Sequence, residues 1–284
     1  MSQAFDRTSE NIGNIVALEH VNVSVPDQRL ATLFYVVGLG FTRDPYLQVG
    51  DENMWVNLGR QQFHLPTGEP QVLRGHVGIV VSDLEALRSR LYSVREKLAK
   101  TRFAVTEEDG AILVTCPWGN QLRCYGAQAR FGGMTLGMPY VEFTVKRGTA
   151  AGIAHFYETA LGVEARLSFD KACASVPAGR DQALIFRETA EEIPAYDGHH
   201  VAIYVADFSG PHTFLKQHDL ITEESNAHQY RFQEIFDLES GAKLFEIEHE
   251  VRSLKHPMAG RTFVNRNPAQ TQRDYVRGRD AFWG

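Results

Sequence analysis

The decapeptide GHVGIVVSDL, beginning at Gly75, returns as HHVAIYVADF at His199. Looser copies begin at Glu19 (EHVNVSVPDQ) and at Tyr140 (YVEFTVKRGT). Each copy alternates with period two, the pattern of a strand buried on one face. Val21, Val23 and Val25 point one way, and His20, Asn22 and Ser24 the other. The same split sets Val77, Ile79 and Val81 against His76, Gly78 and Val80. It sets Val141, Phe143 and Val145 against Tyr140, Glu142 and Thr144, and Val201, Ile203 and Val205 against His200, Ala202 and Tyr204. A chain that repeats one half-buried strand four times must cover four equivalent apolar faces, so the fold is built from repeated units.

A helix signal follows each strand. Beyond Asp83, Leu84, Leu87, Leu91, Val94 and Leu98 recur at helical spacing, with the aspartate placed as an N-cap. The segments ending FYVVGLGF (34–41) and FYETALGV (156–163) match at a constant offset of 122, so the two halves are duplicates. Gly38 and Gly162 stand where these helices end. Short strands are expected at 54–58 and 61–65, 111–115 and 121–125, 172–176 and 182–187, and 230–236 and 243–248. The unit is therefore βαβββ, and four units fill the chain to about residue 250. The expected fold is α+β: two paired, curved mixed β-sheet half-barrels with the helices outside. Taking neighbouring units as partners gives domains at 16–127 and 138–250, separated by the glycine-rich join Gly126–Gly137, and a basic arm at 251–284.

Charge and composition exclude several classes. The 284 residues are 43% hydrophobic and 23% charged, as in a globular protein, and carry a net charge of −6. There is no general attraction to nucleic acid or to an anionic membrane. The N-terminus lacks the layout of a signal peptide, and no apolar run has the length of a membrane span. Cys116, Cys124 and Cys173 form no CxxC pair and fit reduced thiols in the cytoplasm. Phosphate-loop, dinucleotide, GxSxG and HExxH motifs are absent from the sequence. Residues 251–284 hold seven basic side chains (Arg252, Lys255, Arg261, Arg266, Arg273, Arg277 and Arg279) and two acids (Asp274 and Asp280), a net +5 that leaves −11 on the remainder. Such an arm is expected to lie on the acidic body or to clasp a partner subunit.

Four βαβββ units, a histidine opening the first strands, FY…LG after the first helix and PWGNQLR before a last strand resemble the vicinal oxygen chelate superfamily. That group includes glyoxalase I, the extradiol ring-cleavage dioxygenases and the bleomycin and fosfomycin resistance proteins. The resemblance covers about the first 250 residues and specifies fold better than reaction.

The resemblance implies a divalent metal held by first and last strands of paired units. Between the first two units these slots hold His20, His76 and His64, with Arg123 where the family usually has a glutamate. Neutral imidazoles suit Fe(II), Mn, Co, Ni or Zn, and three of them leave positions open. A guanidinium does not ligate a cation, so Arg123 is expected to hold a substrate anion. In the second pair the slots hold Tyr140 and His200, and Glu142, His200 and Glu246 form an alternative set resembling a ring-cleavage site without its first histidine. Tyr140 and Glu142 are the acid–base candidates beside Arg123. The implied function is a metal-dependent enzyme acting on a small oxygen-rich substrate, catecholic or anionic, with dioxygenase ahead of lyase or isomerase. The alternative is a metal-free binding or resistance protein of the same fold. A cytoplasmic homodimer is expected, without nucleic-acid or membrane partners.

Overall fold

The structure is a computed structural model, and it describes residues 7–47 and 52–266. Unit one runs β1 (Ile15–Asn22), α1 (Gln28–Ala31) continuing as a π-helix through Thr32–Gly38, β2 (Thr42–Arg43), β3 (Asn53–Leu58) and β4 (Gln61–Pro66). Unit two runs β5 (Gly75–Val80), α2 (Leu84–Leu98), β6 (Ala104–Glu108), β7 (Ala111–Thr115) and β8 (Gln121–Tyr125). Unit three has β9 (Gly137–Lys146), α3 (Ala150–Leu161), β10 (Arg166–Leu167), β11 (Cys173–Pro177) and β12 (Ala183–Thr189). Unit four has β13 (His200–Val205), α4 (Ser209–Gln217), β14 (Ile221–Asn226), β15 (Gln229–Phe236) and β16 (Lys243–Ser253).

Local chemistry explains the elements. Asp27 Oδ1 accepts from the backbone N–H groups of Arg29 and Leu30, and Asp83 Oδ1 from that of Ala86, which starts α1 and α2. On α2 the buried side chains are Leu87, Leu91, Val94 and Leu98, the expected stripe. Gly162 ends α3 in the left-handed region, as its position implied. Gly38 closes its helical segment without that geometry, and the left-handed residue there is Gly40, φ +79°.

The strands assemble into two eight-stranded mixed sheets, but not from neighbouring units. The first sheet is ordered β14-β15-β16-β13-β1-β4-β3-β2 and the second β10-β11-β12-β9-β5-β8-β7-β6. Unit one therefore pairs with unit four, and unit two with unit three. The first strands join each pair, antiparallel: β1 to β13 and β5 to β9. The expected pairing of units one with two and three with four is corrected. The connection from Tyr125 to Gly137 takes unit three straight onto the β5 edge, which leaves β1 open for β13.

The sheets share one apolar core, from Phe34, Tyr35 and Phe63 in unit one to Phe186, Phe232 and Ile247 in units three and four. Buried Gln182 ties them together: its Nε2 donates to the carbonyls of Leu18 and Met138. The arm folds back from unit four onto unit one. Arg261 pairs with buried Asp44 at 3.0 Å, and Asn265 exchanges hydrogen bonds with the backbone of Gly59. β16 runs to Ser253, past the boundary expected at 250, and the described residues beyond it lie on the body; Arg273, Asp274, Arg277, Arg279 and Asp280 lie outside the described residues. No helix among the described residues is long and apolar enough to cross a membrane.

One core group makes folding sensitive to acid. His249 is fully buried, stacks on Phe232 at 4.3 Å, and shares a 2.6 Å hydrogen bond between its Nε2 and the Tyr157 hydroxyl. Burial pushes its pKa down to about 3. The unfolded imidazole takes up its proton near pH 6.5, so in that window the unfolded chain binds more protons. His249 thus contributes stability that is present above pH 6.5 and lost as the pH falls toward 3. The slope is about 1.4 kcal/mol per pH unit. In urea titrations of metal-free protein from pH 7 to 4, the double variant His249→Phe/Tyr157→Phe should show a shallower loss, by about one proton. An unchanged slope would remove His249 from the account.

Candidate metal centre

The concave face of the first sheet gathers His20 from β1, His64 from β4 and His200 from β13. Each offers one ring nitrogen, and these atoms all lie within 4.8 Å of one another. Ring centroids of His20 stand 5.9 Å from His64 and 5.7 Å from His200. Strand register sets the group: His20 is opposite Gln62 and Ala202, while Asn22 is opposite both His64 and His200.

Each imidazole is oriented by a partner. The Glu19 carboxylate accepts from His20 Nδ1 at 3.1 Å, and Asn53 Oδ1 accepts from His64 Nε2 at 2.6 Å. Trp55 stacks on the His64 ring at 3.9 Å. His200 Nδ1 lies 3.3 Å from Glu248, and its Nε2 3.5 Å from Glu250 Oε2. Such partners fix tautomers and leave the opposite nitrogens with free lone pairs. The Nε2 atoms of His20 and His200 are in fact buried without a hydrogen-bond partner.

Burial disfavours the charged form of two of the rings. Burial pushes His64 down to about 2, helped by the neighbouring His20 and His200. His20, fully buried, is likewise lowered by desolvation, which outweighs the Glu19 hydrogen bond. Burial alone would raise Glu250, but its contact with His200 and the Arg252 guanidinium hold it well below the usual carboxylate range. Arg252 pairs with both Glu19 and Glu250, and Arg231 with both Glu248 and Glu250. Three carboxylates facing two guanidiniums leave one net negative charge beside the three imidazoles. That donor set fits a divalent ion: unprotonated nitrogens, orphaned lone pairs and a compensating charge.

Several of these residues escaped the sequence. Strict alternation puts Glu19 on the face opposite His20. A bulge in β1 between Leu18 and His20 turns both into the trough, where the Tyr204 hydroxyl also donates to Glu19 at 3.0 Å. Glu250 occupies the last-strand slot expected of Glu246. Glu246 lies earlier in β16, bonded to Lys243 and Gln233. A pocket beside Glu19 and Tyr204 is walled by the arm through Met258, Arg261 and Phe263.

The remaining candidates lie in the second sheet. His76, the expected third ligand, is not beside His20 and His64, and His200 takes its place. His76 shares a 3.2 Å hydrogen bond between Nε2 and the Tyr140 hydroxyl, and its Nδ1 is 3.9 Å from Glu142. Glu142 is held bidentately by Arg187 at 2.9 and 3.0 Å. Arg123 is on β8, opposite Gly78 of β5. The structure thus brings Arg123, Tyr140, Glu142 and His76 together, and separates them from the three histidines. Of the alternative set Glu142, His200 and Glu246, only the last two share a sheet.

No protein-family model matches the chain, and no curated protein does. Solved structures do. Glyoxalase I from Zea mays superposes with a TM-score of 0.55 at 15% identity, over 84% of this chain and 92% of that one. A Bacillus subtilis protein named "putative dioxygenase" gives 0.55 at 14% identity, over 87% and 88%. At these identities the likeness is one of fold.

Proposed function

We propose, from the fold this chain shares with the vicinal oxygen chelate superfamily, that it is a metal-dependent enzyme working in the trough of the first sheet. The observation that carries the reading is the convergence of His20, His64 and His200 from three separated segments, with nitrogens inside 4.8 Å. These three residues would hold one divalent ion, among Fe(II), Mn, Co, Ni and Zn. When bound, the ion supplies Lewis acidity toward a small substrate with two neighbouring oxygens.

The protein's own groups divide the remaining work. Glu19 and Asn53 hold two imidazoles in the tautomers that present a lone pair. Because His64 is neutral down to about pH 2, loading at neutral pH displaces no proton from it. The Tyr204 hydroxyl, raised by burial, stays protonated and donates to Glu19. Half-buried His64 leaves the group partly accessible, and the arm-walled pocket opens beside Glu19 and Tyr204. Ring-cleaving oxygenation is the first reaction to test, and isomerisation of a 2-hydroxycarbonyl compound the second.

The test begins with protein prepared without a histidine tag, stripped of metal, and reconstituted anaerobically with each of the five ions. Elemental analysis is expected to find about one equivalent of at least one ion, as a single three-nitrogen site holds one. Oxygen uptake with catechols and isomerase assays on the loaded protein then separate the reactions. Failure of all five ions to bind would end the enzyme reading in favour of a metal-free binder. Sedimentation of the same preparation tests the expected homodimer.

A further inference from the structure

The two sheets are related position by position. In the first, His20 is opposite Gln62 and Ala202, and His200 is opposite Glu248 and Asn22. In the second, Tyr140 is opposite Ala183 and Gly78, and His76 is opposite Gln121 and Glu142. Tyr140 therefore stands in the place of His20, and His76 in that of His200. Ile185, opposite Glu142, takes the place of His64, which is opposite Asn22. Arg123, opposite Gly78, takes the place of Glu250, which is opposite Ala202. Of four donor positions, one keeps its histidine, two become a phenol and an aliphatic chain, and the carboxylate becomes a guanidinium. Such a set repels a cation and suits an anion.

The second trough is also shaped for more than a bare charge. The Tyr140 and Tyr125 hydroxyls are 3.0 Å apart, and Tyr140 continues to His76 at 3.2 Å. Gly78 makes this chain possible: a Cβ there would stand 2.3 Å from Tyr140 Cε1, so only glycine lets the ring lie across β5. Val80, Ala111, Tyr125 and Phe131 form an apolar cluster separate from the main core, with Met134 and Tyr140 packed against it. The Arg130 guanidinium stacks on Tyr125 and Phe131, each at 4.6 Å. Glu142 is already engaged by Arg187, whereas exposed Arg123 has no carboxylate partner among the described residues.

We propose that this trough is a second, metal-free site that binds a small monocarboxylate with an apolar or aromatic body. Arg123 takes one face of the carboxylate as charge-assisted hydrogen bonds, and the Tyr125–Tyr140–His76 chain, with the proton of His76 on Nε2, leaves one hydroxyl to donate to the other. Half-buried Met134 and Tyr140, packed on buried Tyr125 and Phe131, flank the body. His76 stays uncharged near neutral pH, because burial pushes it down to about 4 despite Glu142, so the donors add no second charge.

The experiment uses full-length, metal-stripped protein and benzoate as the probe, followed by saturation-transfer NMR, calorimetry and tyrosine near-ultraviolet difference spectra. Benzoate is expected to bind saturably in the millimolar range with a tyrosine difference signal, while benzamide and inorganic phosphate bind at least about tenfold more weakly. Arg123→Ala should weaken benzoate about tenfold or more, and Tyr140→Phe about threefold or more while removing the difference signal. Both side chains reach solvent, and thermal unfolding controls for their fold. His64→Ala should leave benzoate binding unchanged, so this site and the metal centre fail independently. Equal binding by Arg123→Ala, no saturation by benzoate, or phosphate binding as tightly as benzoate would overturn the proposal.

Discussion

Replacing His200 by alanine is expected to weaken divalent-metal binding by about 10²–10³-fold, whereas replacing His76 leaves it unchanged. Structural zinc sites gain roughly 10–16 kcal/mol from a set of four ligands, so one ligand accounts for about 2.5–4 kcal/mol. His200 is 6% exposed and faces His20 and His64 across β1. His76 bonds Tyr140 in the other sheet. Competition against a chromophoric chelator reads both variants directly. The contrast is sharp because a pairing of neighbouring units makes the opposite forecast, with His76 essential and His200 dispensable. Metal loss in His76→Ala with retention in His200→Ala would reject the centre described above. His64→Ala, at a half-buried position, provides a second ligand variant should His200→Ala fail to fold.

The second large effect is expected at Arg252. Its side chain is 6% exposed and pairs with Glu19 and Glu250, each 5% exposed. Arg252→Met keeps the length of the chain but removes the cation, leaving two buried carboxylates short of a partner. Breaking a buried pair in this way typically costs about 3–5 kcal/mol. The metal-free variant should therefore unfold at much lower urea than the parent, in a comparison made at constant pH. The same substitution takes the trough from one net negative charge to two, so it strengthens attraction for a divalent ion. Bound metal stabilises the folded state in proportion to the logarithm of its affinity. Saturating metal is thus expected to narrow the gap between parent and variant. A gap that metal leaves unchanged would mean that the carboxylate–guanidinium network and the imidazole cluster do not communicate.

Within an element, the residues were informative. The strands expected at 111–115 and 121–125 are β7 and β8, and the stripe Leu87, Leu91, Val94 and Leu98 is the buried face of α2. His20, His64 and Tyr140 fall on the faces that alternation assigned them, because side-chain direction follows from period two alone. The two-residue strands β2 and β10 were illegible, since two residues carry no period. Glu19 was hidden by a bulge, which breaks the alternation that would have located it. Arg252 was counted with the basic arm, and only the closing of β13 on β16 buries it beside Glu250.

By itself, then, the sequence determined four half-buried strand–helix units and the face on which each polar side chain stands. Both follow from contacts between residues close in the chain. The tertiary structure decided which units share a sheet, and with that whether His76 or His200 completes the group around His20 and His64. Ladder hydrogen bonds join backbone to backbone and do not distinguish one equivalent strand edge from another. The choice fell to the reach of the connections and to the packing of the two sheets on their common core, and neither is written in any single repeat.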